Sequence, residues 1–220
     1  MLAHELITDE VPPLKLSDTG KKVLDWMEDL RISHLPVVNK REFIGMVSYA
    51  DIIDLNKPKE TLDHQRVSMI KAYVREDFHI FDVLKAISNY NVSAVAVLDA
   101  ENNYMGVITA DSIIQKIAQM PFVNEPGGII ILEMNVKDYT LSQIAQIVEG
   151  NNAKILHMHI NAHRDTTKME VTLKVNKDEL AGLLQTFARY NYTVKATFHQ
   201  NQFNDDVKKR YDEFIHFLNI

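Results

Sequence analysis

The chain has 220 residues, 46% of them hydrophobic and 25% charged, and a net charge of −6. This is the composition of a soluble globular protein long enough for one large or two small domains. The absence of cysteine excludes disulfides, thiolate catalysis and cysteine-ligated metal, and the acidic balance argues against general nucleic-acid binding, which needs a positive surface.

No apolar run approaches the roughly 20 residues of a membrane span. The opening Met1-Leu2-Ala3-His4-Glu5 has neither the basic nor the apolar region of a secretory signal. A cytoplasmic location without a membrane partner is expected.

After an extended lead-in, Val23, Leu24, Met27 and Leu30 recur at helical spacing. Pro36-Val37-Val38 and Phe43-Ile44-Gly45-Met46-Val47 are short apolar runs separated by polar Asn39-Lys40-Arg41-Glu42, the pattern of strand, turn and strand. A helix is expected from about Ala50. Asn56 to Arg66, charged and containing Pro58, reads as a linker.

The pattern then repeats. Val83-Leu84, Ile87 and Val92 match Val23-Leu24, Met27 and Ile32 at an offset of 60. Ser33-His34-Leu35-Pro36-Val37-Val38 is answered by Ser93-Ala94-Val95-Ala96-Val97-Leu98. One extra residue in the turn Asp99-Ala100-Glu101-Asn102-Asn103 moves the offset to 61, so that Gly45 aligns with Gly106, Ser48 with Thr109 and Asp51 with Ser112. Two copies of one supersecondary unit are expected to close a common core. They share apolar pattern and differ in polar chemistry.

Two prolines and two glycines between Met120 and Gly128 mark a boundary. Beyond it, Ile130, Leu132, Met134 and Val136 alternate as in a strand, and Leu141, Ile144, Ala145 and Val148 have helical spacing up to Gly150. Ile155 to Ile160 reads as a strand with Leu156, Met158 and Ile160 inward, and Lys168 to Val175 alternates cleanly. Leu180, Leu183, Leu184 and Phe187 form a helical stripe before a last strand with Val194, Ala196 and Phe198. The order βαββαβ is the ferredoxin-like split arrangement. From Phe203, with Asn204 as N-cap, Val207, Tyr211, Phe214, Ile215 and Leu218 share one face of an amphipathic helix, which must bury that stripe on its own domain or on a partner subunit.

Leu35-Pro36-Val37-Val38 followed by Gly45-Met46-Val47-Ser48-Tyr49-Ala50-Asp51 resembles the CBS domain, a family found as tandem pairs (Bateman modules) that commonly bind adenosine nucleotides between the copies. The βαββαβ unit resembles an ACT-type regulatory domain, and the combination is similar to the acetoin-utilisation accessory proteins. The fold class implied is α/β (α+β): a tandem CBS pair at 1–120 (repeat one 1–56, repeat two 67–120), a ferredoxin-like ACT-type domain at 127–200 and a C-terminal helix at 203–220.

The CBS signature has a physical rationale. A strand passes through Ser48 into a helix whose first N–H groups attract phosphate, with the Ser48 hydroxyl as a further donor. Asp51 falls in the first turn, where a carboxylate can take two ribose hydroxyls. The resemblance adds His34, Leu35 and Pro36 as the lining of a base pocket; Arg31, outside the resemblance, is close enough in sequence to reach a phosphate. In copy two Thr109 keeps the hydroxyl, whereas Ser112 replaces the carboxylate and Ala96 the proline. Binding is therefore expected to be lopsided and centred on copy one.

The ACT resemblance departs at the turn Val136-Lys137-Asp138-Tyr139-Thr140, which lacks the glycine that lets an amino-acid ligand approach the backbone. His157 and His159, with His163 and Asp165 nearby, present the weak outline of a metal set, but alternation places the first two on the outer sheet surface. There is no nucleophile elbow, P-loop or His-Glu-x-x-His, so no enzyme activity and no cofactor are expected. Trp26 reads as core or subunit packing. Two functions remain. One is a regulatory sensor of AMP, ADP or ATP, acting as a homodimer on a regulated protein. The other is a constitutive assembly module without a small ligand.

Overall fold

The computed structural model describes residues 1–65, 67–162 and 167–199. The chain divides into two compact units, 1–118 and 119–220. The proposed C-terminal helix at 203–220, and His163 and Asp165, lie outside the described residues.

In the first unit, a 3-10 turn (Ala3–Leu6) precedes α1 (Gly20–Asp29), β1 (His34–Asn39), β2 (Glu42–Ser48) and α2 (Tyr49–Leu55). Then come α3 (Leu62–Gln65), β3 (Tyr73–Arg75), α4 (Ile80–Tyr90), β4 (Ala94–Leu98), β5 (Tyr104–Thr109) and α5 (Ala110–Ala118). Helix ends are set locally. The Thr19 hydroxyl accepts Lys22 N–H at 3.4 Å at the start of α1, and left-handed Asn56 and Asn91 close α2 and α4.

The repeat is visible in the ladders. Antiparallel β1/β2 pairs His34 with Ser48, and β4/β5 pairs Ala94 with Thr109. Each ladder carries one register shift, after Val37 and after Val97, at the same point of the repeat. Leu14 bridges Val37 in parallel, as β3 does β4. One core runs through both copies, including Leu14, Leu35, Val37 and Met46 from one and Ala94 to Val97, Ile108 and Ile113 from the other. Phe43 stacks on Tyr104 (6.5 Å between centroids) and meets Tyr73 edge-on (6.3 Å), an aromatic seam between the copies. Burial pushes the Tyr104 phenol well above its ordinary pKa.

The lead-in segments are exchanged. Ala3 N–H donates to Phe78 O (2.8 Å), His4 N–H to Glu76 O (3.1 Å) and Thr8 N–H to Val107 O (3.0 Å), so the start of copy one lies on copy two. Reciprocally, Leu62 N–H donates to Asp18 O (2.9 Å), and Ile70 exchanges two backbone bonds with Met46 (2.8 and 2.9 Å). This corrects the linker expectation: 56–66 contains α3, Thr61 bridges Thr19, and Leu62 is only 1% exposed.

The crossing explains the aligned glycines. A Cβ on Gly45 would fall 2.6 Å from Met69 Cβ, and one on Gly106 would fall 2.4 Å from Ile7 Cγ2. Each strand is crossed closely by the other copy's lead-in, and a side chain there would hold it off.

The second unit opens with a one-turn α6 (Pro121–Asn124) inside the segment read as a boundary, with Pro121 in its first turn. β6 (Ile129–Asn135), a 3-10 turn (Val136–Asp138), α7 (Leu141–Gly150), β7 (Ile155–Ala162), β8 (Lys168–Val175), α8 (Ala181–Arg189) and β9 (Thr193–Phe198) follow. The sheet is antiparallel in the order β7-β8-β6-β9, the ferredoxin-like arrangement. Ile130, Leu132, Val171 and Leu173 pack with Ile144, Val148, Leu183 and Phe187 of the two helices. Two expectations are adjusted. A register shift after Ile155 puts Ile155 and Met158 on this core, and Ile160, expected inward, is 44% exposed on the edge strand.

Candidate functional site

Ser48 ends β2 in extended conformation and caps α2. Its Oγ accepts Asp51 N–H at 3.1 Å, while Asp51 Oδ2 accepts the Ser48 N–H at 3.3 Å and hydroxyl at 2.5 Å. This is a reciprocal capping box built with aspartate. The half-buried carboxylate makes its hydrogen bonds among the described residues through Oδ2, which leaves Oδ1 to accept donors from outside. α2 has seven residues, so the carboxylate and hydroxyl, rather than a long helix dipole, define the chemistry.

His34 sits beside this box as the cross-strand neighbour of Ser48. Its Nδ1 accepts the Ser93 N–H at 3.2 Å and lies 3.0 Å from Ser33 Oγ and 3.3 Å from Ser93 Oγ. Ser33 N–H donates to Ser93 Oγ at 3.2 Å. Burial pushes the His34 pKa down, and the negative charge of Asp51 opposes that shift. Ser33 and Ser93 are equivalents in the repeat: Ser33 O accepts Tyr49 N–H (2.9 Å) and Ser93 O accepts Ala110 N–H (3.0 Å). The two copies thus meet at matching points, with His34 facing a site where its own counterpart is Ala94.

In copy two, Thr109 Oγ1 accepts Ser112 N–H (3.0 Å). Ser112 Oγ accepts Thr109 N–H (3.2 Å) and donates to Thr109 O (2.9 Å). The cap survives there without the charge.

The structure brings Ser48, Asp51 and His34 together. Leu35 and Pro36 are placed otherwise than expected. Leu35 is 0% exposed and its side chain belongs to the core rather than to a pocket wall. Pro36 is buried in the ladder opposite Met46, its carbonyl taken by Leu14 N–H at 2.8 Å. Sequence reasoning missed Ser33, Tyr49 and Ser93, which with Arg31 and Glu28 line a 390 Å³ cavity beside the box. The offset of 60 between the two serines was the available signal.

On the second unit, His157 stacks on Phe122 (4.4 Å between centroids) and lies 5.7 Å from His159, opposite the outward Lys174 and Thr172. Among the described residues no group of three metal-ligating side chains converges. Trp26 is half-buried under the Lys22 ammonium (4.3 Å), a cation–π contact that completes its packing. Among the described residues no helix is long and apolar enough to cross a membrane.

Residues 3–57 and 67–119 match the family model of the CBS domain. The first unit is therefore a tandem pair of CBS domains. The chain is 29% identical over 113 residues to an uncharacterized protein of Methanocaldococcus jannaschii, covering 50% of this chain and 42% of that protein. It is 22% identical over 183 residues to inosine-5'-monophosphate dehydrogenase of the same organism, covering 82% of this chain and 36% of the enzyme. It spans less than half the length of these curated relatives.

Among solved structures, a CBS domain pair/ACT domain protein from Thermotoga maritima is 20% identical with a TM-score of 0.48, covering 54% of this chain and 98% of that one. CBSX2 in complex with AMP is 17% identical with a TM-score of 0.47, covering 54% and 96%.

Proposed function

We propose that this chain is a non-catalytic regulatory protein whose CBS pair, residues 1–120, senses an adenosine nucleotide (AMP, ADP or ATP) at a single site on copy one. Asp51 takes the ribose hydroxyls on Oδ1, Ser48 and the first-turn amides meet phosphate, and His34 flanks the base, with Thr109 at the weaker copy-two position. The ferredoxin-like domain, 127–200, acts as an ACT-type domain that passes the ligand state to a homodimer contact and thence to a regulated protein. The observation that carries this reading is the Asp51 Oδ1 that accepts no hydrogen bond among the described residues, beside the contact between the copies. Two solved structures that resemble this chain hold adenosine nucleotides: CBSX2 in complex with AMP, and the cytosolic domain of the Mg2+ channel MgtE in complex with ATP.

A second reading is a constitutive assembly module. Ile53 and Ile114, equivalent in the repeat, are 48% and 63% exposed, and Phe81 and Leu84 on α4 are also exposed. Such faces suit a subunit contact that needs no ligand.

Thermal unfolding with AMP, ADP and ATP separates the two. Ligand at 100 times its dissociation constant adds about 2.7 kcal/mol. Asp51→Asn should lose that gain. No shift with any nucleotide favours the assembly module, and an undiminished shift in Asp51→Asn removes the site assignment.

A further inference from the structure

At the end of β1 remote from His34 lies a cavity of 710 Å³. A six-residue strand separates the two places by about 16 Å. The buried Leu14 and Val38 lie beneath it, and its rim carries Lys15, Asn39, Lys40, Thr61, Asp63 and His64. Thr61, Asp63 and His64 come from α3 and the residue before it, the exchanged lead-in of copy two. Thr61 Oγ1 lies 2.8 Å from His64 Nδ1, which fixes the ring.

Among the described residues neither the Lys15 nor the Lys40 ammonium makes a hydrogen bond or ion pair. Asp18, which feels the Lys15 charge, is already paired with Lys22 at 2.7 Å.

The repeat builds an equivalent cavity of 440 Å³ on copy two, with His4 for His64 and Arg75 for Lys15. There Arg75 Nη1 is tied to the carbonyls of Asp99 (2.9 Å) and Ala100 (3.3 Å), and Glu76 and Asp77 join the rim. One scaffold thus carries two cavities of opposite charge, and among the described residues the copy-one cavity is the one whose cations have no hydrogen-bond or ion-pair partner.

We propose that the copy-one cavity binds a small phosphorylated polyol. Lys15 and Lys40 outweigh Asp63 by one charge, and the three terminal oxygens of a phosphate monoester can accept from both ammonium groups at once. Asp63 beside a dianion requires donors, which the ligand's hydroxyl groups supply. The ligand spans strands of copy one and the lead-in of copy two, so its binding holds the exchanged segment in place. The site is independent of the nucleotide reading.

The test is an NMR titration of the full chain with glycerol 3-phosphate, with glycerol as control. Saturable shifts are expected at the amides of Lys15 to Ser17, Asn39, Lys40 and Thr61 to His64. Glycerol should produce none, and Asp51→Asn should leave the titration unchanged. Lys15→Ala with Lys40→Ala, both exposed positions, should weaken binding at least about tenfold for each charge-assisted bond removed. Shifts that fail to saturate, that glycerol reproduces, or that persist unchanged in the double variant overturn the proposal. A response abolished by Asp51→Asn also overturns it, by placing the ligand at the other site.

Discussion

The Nδ1 atom of His34 accepts the backbone N–H of Ser93 at 3.2 Å, joining the two CBS copies through one imidazole. The neutral ring therefore carries its proton on Nε2. Protonation would turn the acceptor into a donor facing another donor.

This fixes the sign of a pH effect. Burial holds the folded His34 pKa below its ordinary 6.5, so the unfolded chain binds the extra proton first and stability falls as pH drops below that value. From about pH 7.5 to about pH 5, unfolding free energy should decline more steeply for the wild type than for His34→Asn, whose amide oxygen can accept the same N–H. Parallel curves would remove His34 as the cause. Because Asp51 raises the His34 pKa, Asp51→Asn should move the imidazole titration, followed by NMR, to still lower pH.

The glycine crossings predict unequal costs. Gly45→Ala sets its new methyl against Met69 Cβ (2.6 Å) and Ile70 O (3.3 Å), atoms held by the backbone. Gly106→Ala meets only the Ile7 side chain. The first should lose about 1–3 kcal/mol in urea unfolding, as overpacking generally does, and more than the second. Ile7→Ala should rescue Gly106→Ala, while no truncation at Met69 relieves a clash with its Cβ short of glycine.

Ser48→Ala removes the hydroxyl that holds the first turn of α2 and should cost about 0.5–2 kcal/mol. Thr109→Ala in copy two should cost a similar amount, because its hydroxyl makes the equivalent bond to Ser112 N–H. A large difference between the two, measured by chemical unfolding, would show that the caps are not equivalent.

If nucleotide binds through the carboxylate at position 51, Ser112→Asp should raise the calorimetric stoichiometry from about one to about two ligands per chain. A ratio unchanged by Ser112→Asp would show that Ala96 or another copy-two residue blocks the site independently of charge.

The doubled apolar pattern made the two ladders and the common core legible, since each rests on local strand and helix periodicity; their shared register shift was not. The βαββαβ order was legible for the same reason. That Ser48 and Asp51 lie at a helix start was legible because a helix start has a local signature. The exchanged lead-ins were not, because Leu62 and Ile70 are bound by residues more than 20 positions away, Asp18 and Met46, and a single buried leucine in a charged stretch gives no period to read. Leu35 was misplaced because the family resemblance gives a position in the motif without saying which face of the strand is covered; here the chain buries Leu35, Pro36, Val37 and Val38 consecutively.

Two CBS copies that trade their first segments amount to a swapped dimer threaded onto one polypeptide. In two separate identical chains, any change at one helix start would appear at both. Covalent joining lifts that constraint, because positions 51 and 112 are now encoded apart. The interlock keeps the halves matched in shape while their polar chemistry drifts, so an aspartate on one side can face a future different from the serine on the other.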